Sequence, residues 1–116
     1  MVSKALIAAS TKPMILAILK RGENYGYRII QSVREISGGE LEWSEPMLYP
    51  VLQRLERDGL VQSQWKTTEN GRFRKYYRLT ERGLEELSRD TAEWRTVHFA
   101  FNRLLDPAVD LRQPAG

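Results

Sequence analysis

The chain of 116 residues contains no cysteine and a single histidine, His98. Without cysteine there is no disulfide framework and no thiolate metal centre, and the composition fits a reducing compartment. With one histidine, a metal would have only carboxylates as further partners, so no metal site is expected. No nucleophile has a plausible histidine base, there is no Gly-rich phosphate loop, and no carboxylate pair stands in a suggestive setting. Neither an enzyme nor a cofactor is therefore predicted. No apolar run is long enough to cross a bilayer, and Ser10, Thr11, Lys12 and Pro13 interrupt the apolar start before it reaches signal-peptide length. The expectation is a single cytoplasmic domain whose 41% hydrophobic and 28% charged residues are ordinary for a globular chain.

Net charge is also low, at +3, but it is unevenly placed. Residues 1–80 carry 13 Lys/Arg against 8 Asp/Glu, whereas residues 81–116 carry 5 against 7. Between Lys66 and Arg78 five cations (Lys66, Arg72, Arg74, Lys75, Arg78) meet one anion, Glu69, with Phe73, Tyr76 and Tyr77 interleaved. Such clustering is a phosphate-binding footprint, although a solvated surface hairpin would show the same charges.

Apolar spacing predicts three short helices. The first, in SKALIAASTKPMILAILKRG, has Met14, Ile15, Ile18 and Leu19 at helical spacing, with Pro13 marking its beginning or a kink. ENYGYRIIQSVREISGG is the second, with Tyr25, Ile29, Val33 and Ile36 on one side and Gly38-Gly39 as its stop. The third, SEPMLYPVLQRLERDGL, has Leu48, Val51, Leu52 and Leu55 as its inner stripe and Ser44 as N-cap. Pro46 then falls in the first turn, where a missing N–H is harmless. Pro50 either loosens the first turns or precedes the regular helix. The outer face holds Met47, Tyr49, Gln53, Arg54 and Arg57. After Gly59 the pattern changes to period two, and LVQSQWK and FRKYYRL flank TTENGR, whose Asn70-Gly71 signals a tight turn.

Three helices and a basic ribbon make the order of a winged helix-turn-helix, an α+β fold that is mainly α. Gln53 and Arg54 suit base edges, whereas Arg72, Arg74 and Lys75 suit phosphates. Arg54 and Arg57 could equally pair with Glu45, Glu56 or Asp58 along a solvated helix. The last helix runs from the Thr80 cap to about Leu105, before Pro107. Leu84, Leu87, Thr91, Trp94, His98, Phe101 and Leu105 alternate by three and four, the seam of a helix pairing with another, and Val97 and Leu104 widen it. A small domain cannot cover this helix, so its far end is expected to pack on a second copy. The expected division is a winged helix-turn-helix DNA-binding region over 1–80, a C-terminal dimerisation helix over 81–105 and a flexible tail over 106–116. Leu87, Thr91, Trp94, Val97, His98, Phe101 and Leu105 would form the homodimer interface. A winged-helix module that binds protein rather than specific DNA is the competing expectation.

ENYGYRIIQ, EPMLYPVLQRLERDGLV and GRFRKYYRLTERGLEEL together resemble the PadR family, regulators related to the repressor of phenolic acid decarboxylase, over roughly residues 12 to 105. The resemblance implies a winged helix-turn-helix dimer joined by its C-terminal helix, with one such helix as in the short subfamily. It further implies a repressor released from double-stranded, pseudo-palindromic operator DNA by a small molecule. It places Tyr49, Gln53 and Arg54 on the recognition helix beside Met47, places Arg72, Arg74 and Lys75 on the wing tip, and makes a proline after Leu48-Tyr49 expected. Trp94 is similar in position to an aromatic residue that stacks planar aromatic effectors between paired helices. His98, one turn on, would serve such a ligand, pH sensing or plain interface packing.

Overall fold

The computed structural model describes residues 1–112. Four helices and a small sheet follow one another as α1 (Lys4–Lys20), β1 (Asn24–Tyr25), α2 (Gly26–Ile36), α3 (Glu45–Arg57), β2 (Val61–Thr67), β3 (Phe73–Leu79) and α4 (Glu81–Leu105). The sheet is antiparallel with strand order β1-β3-β2.

The helix starts are set by hydroxyl caps. Ser3, Ser44 and Thr80 each accept a bond from a first-turn amide, those of Leu6, Met47 and Gly83, which satisfies donors that have no partner within the helix. Thr80 also donates to the carbonyl oxygens of Gly59 and Leu60 at 2.7 and 3.0 Å. Its hydroxyl thus ties the start of α4 to the turn that ends α3. Gly83 permits this approach, because a Cβ there would lie 2.1 Å from the Leu60 carbonyl oxygen.

α1 passes through Pro13 without ending, so the proline neither starts the helix nor breaks it. The amide it lacks would have bonded the carbonyl of Ala9, an exposed residue, so water can take the place of that bond. Just before it, the buried hydroxyls of Ser10 and Thr11 donate back to the Leu6 and Ile7 carbonyls at 2.7 and 2.6 Å. Two polar side chains are thereby buried without loss of a hydrogen bond.

The core joins Ile15, Leu16 and Leu19 of α1, Ile29 and Val33 of α2, Leu48, Leu52 and Leu55 of α3, then Leu60, Val61, Tyr77 and Leu87, with Trp43 from the α2–α3 connection. Leu48 and Leu52 are fully buried, each contributing about 1.5–3 kcal/mol. Truncating Leu52 to alanine would cost about 2–5 kcal/mol.

Two expectations are corrected. Asn24 and Tyr25 do not open the second helix but form β1, pairing with Tyr77 and Tyr76, so α2 begins at Gly26. The ribbon closes through residues 68–72, which hold Asn70-Gly71, with Thr67 paired to Phe73 and the Thr68 amide bonded to the Arg72 carbonyl at 2.7 Å. Leu87, expected in the seam between copies, is 7% exposed within its own core and has little surface left for a partner. Of the segment expected to be a flexible tail, Asp106 caps a turn by bonding the Ala108 and Val109 amides, and 113–116 lie outside the described residues.

Candidate nucleic-acid interface

α3 meets the core along Leu48, Leu52 and Leu55 and turns Pro46, Pro50, Gln53 and Arg57 outward, all exposed. Pro46 and Pro50 are one turn apart, so the missing Pro50 amide leaves the Pro46 carbonyl free on the solvent face, where water can bond it. The helix therefore starts at Glu45 and runs unbroken through Pro50.

Met47 and Tyr49, both expected on the outer face, lie on its flanks, because each is only one residue from Leu48 and the wheel turns by about 100° per residue. Met47 is half-buried against the core, and on that flank Arg54, Val51, Lys4 and Lys12 border a shallow concavity beside α1. Tyr49 is half-buried on the opposite flank, its ring against Gly26 at the start of α2. Burial, and then the nearby Glu45 carboxylate, push the Tyr49 hydroxyl above its ordinary range, and Arg74 opposes them. Gln53 thus stays outward while Arg54 is turned toward α1.

Beyond α3 the β2–β3 wing carries two distinct faces, as strand alternation requires. Lys66, Arg74 and Tyr76 occupy one face with Tyr25 of β1. There the Lys66 ammonium lies 4.7 Å from the Tyr76 ring centroid, the Arg74 guanidinium 5.3 Å from that of Tyr25, and the two tyrosine rings meet edge to face at 5.2 Å. Lys66 also pairs with Glu23. Ser63, Trp65, Lys75, Phe73 and Tyr77 share the other face. This face meets α3 through Glu56, which accepts from the Ser63 hydroxyl at 2.5 Å and stands 3.8 Å from the Lys75 ammonium. Burial raises the Tyr77 hydroxyl pKa, followed by the effect of Glu56 and then of Tyr49.

The expected phosphate cations therefore differ in their surroundings. Lys75 is tethered to Glu56 and Arg74 leans on Tyr25, whereas Arg72 is exposed in the loop with no ion pair among the described residues. Lys66, one of the clustered cations, pairs with Glu23, and Arg57 adds exposed charge on the outer face of α3.

A second concavity, of about 430 Å³, lies between α1 and α4. Leu87, Thr91, Trp94, Arg95 and His98 line it from α4, and Ser10, Pro13, Met14 and Ala17 from α1. It brings Trp94 and His98 together, as their one-turn spacing requires. The α1 wall was not foreseen, because contact between helices so far apart in sequence leaves no local pattern.

Lys12 pins the two helices near this groove, 3.3 Å from Asp90 and 3.6 Å from Glu86. Beyond it Trp94, Val97, Phe101, Leu104 and Leu105 remain 39–65% exposed along α4.

The fold and the sequence have known counterparts. Residues 15–89 match the Transcriptional regulator PadR-like family. The chain belongs to this family. An uncharacterised protein of Lysinibacillus sphaericus is 32% identical over 97 residues, spanning 84% of this chain and 89% of that protein. The crystal structure of a PadR-like transcriptional regulator from Bacillus cereus superposes with a TM-score of 0.79 at 29% identity, covering 89% of this chain and 98% of the other. That of a PadR family transcription regulator from Clostridium difficile has a TM-score of 0.74 at 32% identity, covering 84% and 99%.

As a PadR-like protein the chain is a DNA-binding transcriptional regulator and not an enzyme, and its winged helix is the family's fold. No helix among the described residues is long and apolar enough to cross a membrane.

Proposed function

We propose that this PadR-like regulator acts in the cytoplasm as a homodimeric, sequence-specific repressor, released from its operator by a planar aromatic small molecule. The observation that carries the dimer is the distal half of α4. Val97, Phe101, Leu104 and Leu105 are 60–65% exposed, and a stripe of this kind on one helix marks a surface that another protein covers. A second α4 running against it, related by two-fold symmetry, would bury the stripe on both copies.

Two such copies present two α3 helices and two wings to a pseudo-palindromic site, with half-sites about 34 Å apart. Gln53 and Arg57 face outward to read base edges, flanked by Met47, Tyr49 and Arg54, while Arg72, Arg74 and Lys75 hold phosphates. The α1–α4 groove falls within the size of small-molecule sites. Trp94 offers a stacking face there and His98 a polar edge. A ligand in that groove would change the angle at which α4 leaves the domain, and hence the half-site spacing. It releases DNA only to the extent that it prefers the non-binding arrangement.

Fluorescence anisotropy against DNA upstream of the protein's own gene and a scrambled duplex, at two salt concentrations, tests this reading. Tight selective binding that weakens steeply with salt is expected. Equal affinity for both duplexes would overturn sequence-specific repression.

A further inference from the structure

The wing tip holds two large aromatic side chains that the core does not use. Trp65 is 56% exposed and Phe73 is 67% exposed, yet their rings stack on one another with centroids 5.2 Å apart and planes 24° from parallel. The register explains the contact. Trp65 pairs directly with Lys75, so Phe73, two residues before Lys75 on β3, is its diagonal neighbour on the same face. This is the face that carries Ser63 and Lys75 against Glu56 of α3. The stack therefore lies on the wing surface that adjoins the outward helix, beyond the point where the hairpin leaves the core.

Its surroundings select the partner. Arg72 precedes Phe73, Lys75 stands across from Trp65, and Lys66 and Arg74 pair on the intervening rung, which faces the reverse side. An apolar stack ringed by cations is complementary to a surface that offers stacked rings and sugars between two rows of phosphates. With α3 in a major groove, the groove beside it is the minor groove, and apolar side chains that enter a minor groove wedge against its base steps.

We propose that Trp65 and Phe73 form an apolar wedge that the wing presses into the operator's minor groove, between phosphates held by Arg72 and Lys75. The inference rests on the DNA-binding reading of α3 and the wing. It adds a contact that senses groove width and base-step flexibility rather than base edges, so sequence preference would extend beyond the positions α3 touches.

Operator titrations of the full-length protein across a salt series, with Trp65→Ala, Phe73→Ala and Phe73→Leu, test the wedge. Each alanine variant is expected to lose about tenfold in affinity, the scale of one aromatic contact to a base. The slope of log affinity against log salt should stay unchanged, because no phosphate contact is lost, and Phe73→Leu should keep most of the affinity. Wild-type affinity in both alanine variants would overturn the proposal. So would a loss accompanied by a shallower salt slope, since the pair would then only be bracing the cations.

Acrylamide quenching covers the case in which an alanine variant fails to fold. Trp65 is the most exposed tryptophan, against 39% for Trp94 and 5% for Trp43. The difference in quenching between wild type and Trp65→Phe should shrink when operator is added. An unchanged difference sinks the wedge while leaving wild-type DNA binding intact, whereas wild-type protein that binds no duplex overturns the DNA reading along with it.

Discussion

The hydroxyl of Tyr49 stands where a side chain on residue 26 would have to be, since a Cβ on Gly26 would lie 2.7 Å from Tyr49 Oη and 2.9 Å from Cζ. The start of α2 and the flank of α3 are thereby held in one mutual position, and that position determines how Gln53 and Arg57 are presented.

Gly26→Ala should therefore destabilise the fold by about 1–3 kcal/mol, the usual cost of overpacking a tight contact, and lower operator affinity as Tyr49 is displaced. Thermal unfolding of the single variants and of Gly26→Ala/Tyr49→Ala measures the coupling. The double variant should lose less than the sum of the two single losses. Strict additivity would mean that the contact does not hold the helices together.

Lys12 and Asp90 couple α1 to α4 asymmetrically. The Asp90 side chain is 11% exposed and that of Lys12 39%. Removing Lys12 strands a nearly buried carboxylate, whereas removing Asp90 leaves the ammonium with water and Glu86, 3.6 Å away. Lys12→Ala should cost about 1–3 kcal/mol, and Asp90→Ala less than about 1 kcal/mol. Urea unfolding of the two variants checks the order, and a larger loss for Asp90→Ala would refute it.

Burial raises the Tyr77 hydroxyl pKa above the ordinary tyrosine value of about 10. A group whose folded pKa is raised contributes stability that is fully present below the unfolded pKa and lost as pH rises through the folded one. Stability from this residue should hold to about pH 10 and decline above it. Chemical unfolding of wild type and Tyr77→Phe from about pH 9 to about pH 11 isolates the effect, because other lysines and tyrosines titrate in both proteins. The variant should show the flatter alkaline decline, and parallel curves would count against the assignment.

Arg72 has neither an ion pair nor an aromatic ring beneath it among the described residues, whereas Lys75 pairs with Glu56 and Arg74 lies over Tyr25. Arg72→Ala should weaken specific and scrambled duplexes alike and reduce the salt slope by about 0.9, the value for one phosphate contact. Gln53→Ala should instead change the preference between duplexes while leaving the slope intact. Competition titrations at several salt concentrations separate these outcomes, and a uniform loss for Gln53→Ala would remove its reading role.

What the sequence made legible follows from how far each signal reaches along the chain. Leu48, Leu52 and Leu55 announced α3 because a buried helix face repeats within a few residues. The hairpin was announced by alternation and by Asn70-Gly71. β1 was not, since Asn24 and Tyr25 are too few to show a period and owe their strand geometry to Tyr76 and Tyr77, some fifty positions on. Tyr49 and Met47 were assigned to the outer face by helical spacing alone. Their burial depends on Gly26 and on α1, which lie far away in sequence. The groove walls of α1 and the exposed Trp65–Phe73 stack are likewise products of packing and register, which a one-dimensional pattern does not contain.

The last prediction concerns the exposed stripe of α4, where Phe101 is 60% exposed and Val97 is 63% exposed. Neither belongs to the core cluster, so a charge at either position should leave the folding of the winged helix intact, surface changes away from core contacts being worth about 0.5 kcal/mol or less. In a homodimer the same charge would be buried opposite its symmetry mate, where two unpaired like charges oppose association. Phe101→Asp should therefore sediment as a folded monomer and bind a full operator no more tightly than a single half-site, because the second half-site would no longer be delivered by the same particle. A Phe101→Asp protein that stays dimeric and keeps full operator affinity would show that α4 does not join the copies, and would remove the basis on which half-site spacing was assigned to this helix.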